Sequence, residues 1–215
     1  TGELIARHPF DGVVLLGSCD KNVPAQLMAA VSADKPMIFL PGGPMLPGNY
    51  QGESLACGTD SFKIWTKYQA GELNEDDLKN VEGCLYGSVG ACPIMGTANS
   101  MQTAVEALGL ALPGSAASPA VSAEKARQAE MTGRQAVTLV EKNIKVSDIV
   151  NINSLYNAIT VLMASGGSTN LLIHLTAVAR RAGIKLALSE YQIISDKTRL
   201  LVDVKPSGKG TVGIE

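Results

Sequence analysis

Val13-Val14-Leu15-Leu16-Gly17-Ser18-Cys19-Asp20-Lys21-Asn22-Val23-Pro24-Ala25 decides how this chain is read. An apolar, partly β-branched run that stops at a glycine is the mark of a short buried strand. A polar turn follows, and Pro24 suits the first turn of a helix, where its missing N–H needs no partner. Residues 25–33 continue as an Ala/Met/Leu helix, and Met37-Ile38-Phe39-Leu40, ending at Pro41-Gly42-Gly43, is a second buried strand. Strand, loop, helix, strand makes a crossover unit that is expected to be right-handed. Cys19, Asp20 and Lys21 then fall in the loop at the carboxyl end of the first strand, where open α/β sheets usually place ligand chemistry.

Working outward, residues 60–70, 97–108, 123–142, 154–164 and 170–182 show helical spacing, several with Gly just past the end. In the last of these Leu171, Leu175 and Val178 form a core-facing stripe. The fold expected is α/β, a parallel sheet with flanking helices in three αβα layers and a helix-rich second half. There is no internal repeat or low-complexity tract, and no linker before the Gly/Lys-rich residues 205–210, so residues 1–215 read as a single α/β domain. With 215 residues, 46% of them hydrophobic and 18% charged, a sizeable core is available.

A net charge of −2 argues against a nucleic-acid partner. No apolar run reaches the ~18 residues that span a bilayer, so no membrane partner is implied. Four cysteines are too few for a disulfide scaffold of this length and point to a reducing compartment, with the cytoplasm as the default.

The second informative stretch is Gly90-Ala91-Cys92-Pro93-Ile94-Met95-Gly96-Thr97-Ala98-Asn99-Ser100-Met101. Each of the two stretches sets a cysteine in a Gly-flanked turn. Spacing alone defines no metal site, because no CxxC or HxxxH pair is present and Cys19 lies far from Cys92. Thiolates favour iron or zinc, and an Asp oxygen favours a hard ion such as Mg²⁺. Lys21 cannot ligate a metal unless it is deprotonated or converted to a carbamate. Packing cysteines in turns are the plain alternative.

Residues 17–25 and 90–101 resemble the signatures of the dihydroxy-acid and sugar-acid (aldonic acid) dehydratase family, iron–sulfur lyases that remove water from 2,3-dihydroxy acids. The likeness continues in order through Gly42-Gly43-Pro44-Met45-Leu46, Leu112-Pro113-Gly114, Gly166-Gly167-Ser168-Thr169-Asn170 with His174, and Lys205-Pro206-Ser207-Gly208. The resemblance implies that Cys19 and Cys92 bind a [2Fe–2S] cluster and that Asp20 and a carbamylated Lys21 bind Mg²⁺. It also implies a small hydroxy-acid substrate and a homo-oligomer, dimer or tetramer. The family's third cluster cysteine, its remaining acidic Mg²⁺ ligands and its catalytic serine base have no matching segment here. The chain starts at Thr1 and stops at Glu215, and is expected to be the central part of the N-terminal cluster- and Mg-binding domain of a longer enzyme, inactive by itself.

Pro24-Ala25 and the Gly-Gly-Pro-Met-Leu stretch lean towards an aldonic acid substrate, dehydrated to a 2-keto-3-deoxy acid. Asn22-Val23 and Ala98-Asn99 lean the other way, to the dihydroxy-acid dehydratase of branched-chain amino-acid biosynthesis. A reading of a different class is a non-catalytic α/β binding or assembly module.

Gly166-Gly167-Ser168-Thr169-Asn170 leads into a helix, whose free N–H groups and dipole suit a carboxylate or phosphate. Ser168 or Thr169 could instead simply cap that helix. The resemblance makes both substrate-binding residues. His174 is expected to join a buried hydrogen-bond network, and Cys57 and Cys84 to be ordinary thiols. His8 sits in a polar entry segment, Glu53 is expected to be solvated, and Glu72, Glu75, Asp76 and Asp77 form an acidic surface around a helix start.

Overall fold

The computed structural model describes residues 1–213; Ile214 and Glu215, the end of the expected domain, lie outside the described residues. Helix α1 (Gly2–Arg7) puts only Ile5 into the core. Then come β1 (Val13–Gly17), α2 (Asn22–Ala33) and β2 (Met37–Pro41), the crossover unit that the opening stretch predicts. The strands pair in parallel, from Val13 opposite Met37 to Gly17 opposite Pro41. Helix α2 begins just ahead of Pro24, with Lys21 as its N-cap. Pro24 still lies within the first turn, where an N–H has no partner inside the helix.

Side chains alternate across the sheet. On one face a Cβ at Gly17 would meet Asn22 and Gln26 of α2; on the other a Cβ at Gly12 would meet Val140, which belongs to α6 (Ala123–Glu141). The expected three layers are therefore present. Among the described residues the sheet is narrow: two regular strands, continued beyond β2 by the Phe39 N–H donating to Leu110 O at 2.7 Å and a parallel bridge from Phe39 to Ala111.

Between β2 and the later helices lies a small unit, of which the sequence reading found the helix over 60–70 and the acidic helix start but not the hairpin. Strands β3 (Gly48–Tyr50) and β4 (Glu53–Leu55) form an antiparallel hairpin, turning at Gln51 and Gly52, both with positive φ. Helices α3 (Asp60–Gln69) and α4 (Glu75–Cys84) complete it, with a core of Leu55, Ile64, Leu78, Val81 and Leu85. The acidic run does mark a helix start: Asn74 caps α4, accepting from the Asp77 N–H at 2.8 Å while the Asp77 carboxylate accepts from the Asn74 N–H.

Helix α5 (Thr97–Ala107) runs through the middle of the main core, with Met101, Ala104 and Val105 at most 2% exposed. It packs against α8 (Ile152–Ala164), and α9 (Asn170–Arg181) packs against α2. The predicted stripe of Leu171, Leu175 and Val178 is wholly buried. The remaining helices, α7 (Val146–Ile149) and α10 (Leu188–Lys197), bury one residue each, Val146 and Tyr191. So weak an apolar face leaves little periodic signal to read.

Candidate metal and substrate site

The loop after β1 carries Cys19, Asp20 and Lys21. The Val23 N–H donates to Cys19 O and the Ala25 N–H to Lys21 O, each at 3.2 Å, so the loop closes directly onto the first turn of α2. That end of a helix favours negative charge. Cys19 is exposed. Lys21 Nζ donates to Asp20 Oδ2 at 3.2 Å with both side chains well exposed, a pair worth little by itself.

Cys92, also exposed, sits in the turn that leads into α5. Residues 42–45 run between the two cysteine turns and bond to both. The Gly42 N–H donates to Gly17 O at 2.9 Å, the Ala91 N–H to Gly43 O at 2.9 Å, and the Met45 N–H to Ala91 O at 2.8 Å. Gly43 has a φ of +86°, and a Cβ there would lie 2.2 Å from Ser118 O, so only glycine allows this crossing. Lys125, on α6, holds the end of β2 just before this segment, its Nζ donating to Pro41 O at 2.9 Å and also to Ser115 O at 2.5 Å. Burial pushes its ammonium pKa down to about 8, with the Glu106 charge opposing. Leu16, Ser18, Cys19, Gly42 and Lys125 line a cleft of about 560 Å³.

The tail completes the Cys92 turn. The Met95 N–H donates to Lys205 O at 2.7 Å and the Val212 N–H to Pro93 O at 3.2 Å. Lys205 Nζ pairs with the buried Asp60 carboxylate at 2.7 Å. Burial would raise the Asp60 pKa, but hydrogen bonds from Lys205, the Ala56 N–H and Lys63 outweigh it and hold the carboxyl below its ordinary value. The Gly/Lys-rich segment is thus a brace for the Cys92 turn.

Cys57 lies closer to the site than its sequence position suggests. It is 2% exposed, its Sγ lies 3.8 Å from Met45 Sδ, and the Cys92 thiol is beside it. Burial and then that neighbour push its pKa up to about 12, so it is a neutral thiol. Cys84 is half-buried in the last turn of α4.

The Gly-Gly-Ser-Thr turn docks on the start of α5. The Ser168 N–H donates to Ser100 Oγ at 2.9 Å, Ser168 Oγ and Thr97 Oγ1 are 2.9 Å apart, and Asn170 Nδ2 donates to Thr97 Oγ1 at 2.8 Å. A Cβ at Gly167 would overlap Leu162 and Ser100, which explains the second glycine. Of the two capping candidates, Thr169 is the N-cap by position but makes no side-chain cap bond, whereas the Ser168 hydroxyl accepts from the Asn170 N–H at 3.3 Å and also meets Thr97 across the turn.

His174, one turn into α9, also departs from expectation. Its Nε2 is buried with no hydrogen-bond partner among the described residues, so no network holds that atom. Burial and the Lys21 charge lower its pKa, with Asp20 opposing. The ring therefore sits within electrostatic reach of the Asp20–Lys21 pair.

This donor set fits part of a two-metal site. Two exposed thiols suit an iron–sulfur cluster, and the Asp20 carboxylate suits Mg²⁺, with Lys21 able to join it only as a carbamate. The orphaned imidazole nitrogen marks a polar partner still to be supplied. Among the described residues no three His, Cys, Asp or Glu side chains converge into a cage. Sequence reading missed Gln102 and Lys125, both buried and both bonded to the site loops.

The matching family model is described as "Dihydroxy-acid/6-phosphogluconate dehydratase N-terminal" and covers residues 1–213. The chain is 47% identical over 206 residues to a dihydroxy-acid dehydratase of Thermodesulfovibrio yellowstonii, covering 96% of this chain and 38% of that protein. It is 44% identical to one from Pyrococcus abyssi, over 96% of this chain and 37% of the relative, and 46% identical to one from Halothermothrix orenii, over 95% and 37%. The chain thus spans less than two fifths of the length of these relatives.

Their names match the dihydroxy-acid alternative better than the aldonic-acid reading. Of the residues that leaned towards an aldonic acid, Pro24, Gly43, Pro44 and Met45 are buried, Gly42 is half-buried, and Ala25 and Leu46 are exposed. The chain belongs to the dihydroxy-acid/6-phosphogluconate dehydratase family and corresponds to the N-terminal part of its members.

Proposed function

We propose that this chain supplies the thiol and Mg²⁺-side half of a hydro-lyase site, as the cluster- and Mg-binding domain of an enzyme that converts a 2,3-dihydroxy acid to a 2-keto acid. One observation carries the reading. Two exposed cysteine turns, distant in sequence, are hydrogen-bonded to the same segment, residues 42–45, next to Asp20, Lys21 and an imidazole with an unpartnered nitrogen.

Cys19 and Cys92 would hold the [2Fe–2S] cluster, and Asp20 with a carbamylated Lys21 would hold Mg²⁺. Together these groups supply Lewis acidity to the departing 3-hydroxyl and to the carboxylate and 2-hydroxyl. The proton from C2 and hydroxide from C3 leave as water, and the resulting enol tautomerises to the 2-keto acid. Ser168 and Thr169, on the turn docked against α5, offer hydroxyls to the substrate, and the N-terminus of α9 favours its carboxylate. The relatives' names favour a dihydroxy acid over an aldonic acid.

The test is anaerobic reconstitution of the full-length protein with iron and sulfide, then measurement of iron content, visible absorbance and 2-keto acid formation across dihydroxy and aldonic acids. Cys19→Ser and Cys92→Ser should each lose the chromophore. Either variant with a wild-type spectrum and iron content would overturn the assignment.

A further inference from the structure

Gln102 is 0% exposed and Asn99 1% exposed, on α5, a helix that also buries Met101, Ala104 and Val105. Burying two primary amides in such a place is costly unless every donor and acceptor is matched. Here they are matched. Asn99 Nδ2 donates to Cys92 O at 2.7 Å and to Ile94 O at 2.8 Å. Its Oδ1 accepts from Gln102 Nε2 at 3.2 Å. The same Nε2 donates to Ser18 O at 3.2 Å, and Gln102 Oε1 accepts from the Gly43 N–H at 2.7 Å.

Rotating either amide by half a turn would set oxygen against oxygen at two contacts, so the network admits one orientation. Asn99 and Gln102 stand at i and i+3, hence as neighbours on one side of a single helix. One rigid element therefore grips the carbonyl before Cys19, the carbonyl of Cys92 itself and the segment between them. Fully matched polar networks in a core fix geometry in a way that an apolar pair does not.

We propose that Gln102 and Asn99 are a positioning pair that sets the spacing of the two cysteine turns and so governs how firmly the thiols retain an iron–sulfur cluster. The inference rests on the cluster reading above, and the test separates the two. Gln102→Glu keeps the acceptor for Gly43 and removes both donations; Asn99→Asp removes the grip on Cys92 and Ile94. Gln128→Glu is the matched control, since Gln128 is 5% exposed and donates to Gly114 O and Ser118 Oγ, neither of which belongs to a cysteine turn. Gln102→Met serves if the charged variant does not fold.

In the reconstituted full-length protein, iron release to a chelator should be about tenfold faster in Gln102→Glu and in Asn99→Asp, with an altered electron-paramagnetic signal. The double variant should be no worse than the worse single one, because the two amides act as a unit. Gln128→Glu should lower the melting temperature without changing release or signal. Wild-type release from Gln102→Glu or its substitute, or equally fast release from Gln128→Glu, would overturn the proposal. A wild-type protein that binds no iron would refute the cluster reading instead. The pair is then judged on the apo protein: amide exchange at Gly43 should rise at least about tenfold in Gln102→Met, and unchanged exchange would overturn it.

Discussion

Gly43→Ala isolates the close approach of the segment that joins the two cysteine turns. Two costs are expected. Alanine at a φ of +86° pays about 1–2 kcal/mol for the left-handed conformation. Its Cβ would also lie 2.2 Å from Ser118 O, 2.9 Å from Lys125 Cε and 3.1 Å from the Ala120 N. Two of these are backbone atoms, which do not swing aside. Relieving that overlap adds about 1–3 kcal/mol and pulls the Gly43 N–H from Gln102. Together the costs come to about 2–5 kcal/mol, a fall in melting temperature of roughly 4–20 °C for a domain of this size. Gly52→Ala and Gly183→Ala are the controls, since both have positive φ, +88° and +71°, with nothing within 4 Å of the added Cβ. They should pay only the conformational cost, roughly 2–8 °C. Thermal unfolding of the apo protein by circular dichroism measures all three. A Gly43→Ala shift no larger than the controls would refute the close-approach reasoning.

The Asp60 carboxyl is held below its ordinary pKa, so its contribution to stability is complete above the unfolded value of about 3.9 and is lost as pH falls through the folded value. Asp60→Asn should cost up to about 3 kcal/mol at pH 7 by leaving the half-buried Lys205 without its carboxylate partner, and should flatten the acid limb of the urea-midpoint curve below the unfolded carboxyl value of about 3.9; limbs of equal slope would contradict this. Among the thiols of the apo protein, exposed Cys19 and Cys92 should alkylate first at pH 8, while buried Cys57, with its pKa about 12, should react only on unfolding. Mass mapping that found Cys57 modified early would count against its placement. In the full-length protein Asp20→Asn should lower Mg²⁺ content and keep the cluster's absorbance, whereas Lys21→Arg should abolish turnover because a guanidinium cannot form a carbamate. An active Lys21→Arg enzyme with normal Mg²⁺ would return Lys21 to a simple ion pair.

The crossover unit and five of the helices were legible because their signals are local: an apolar run, a glycine stop, and stripes such as Leu171, Leu175 and Val178. The hairpin at residues 48–55 was not, since three-residue strands carry too little alternation to be seen. Within the site, the motifs singled out Cys19, Asp20, Lys21 and Cys92, and placed the first three correctly at a strand's carboxyl end. What joins the motifs was hidden. Gln102 and Lys125 act on backbone carbonyls of residues 18, 41 and 115, and a carbonyl has no sequence identity to recognise. His174 was misjudged for the opposite reason. The helical register puts it near the polar loop, but the unmet Nε2 depends on what the neighbouring elements fail to provide.

Ser18 and Gln102 are 84 residues apart in the chain, and this sets an order of events for biogenesis. The seat for the two cysteines does not exist until α5 has emerged and docked beside β1. At ribosomal rates that interval is on the order of ten seconds, during which Cys19 has no partner turn. A zinc finger can be folded by its metal because its ligands are close together. On the proposed cluster reading tertiary structure must come first here, so any machinery delivering iron would meet an already folded acceptor rather than a nascent chain.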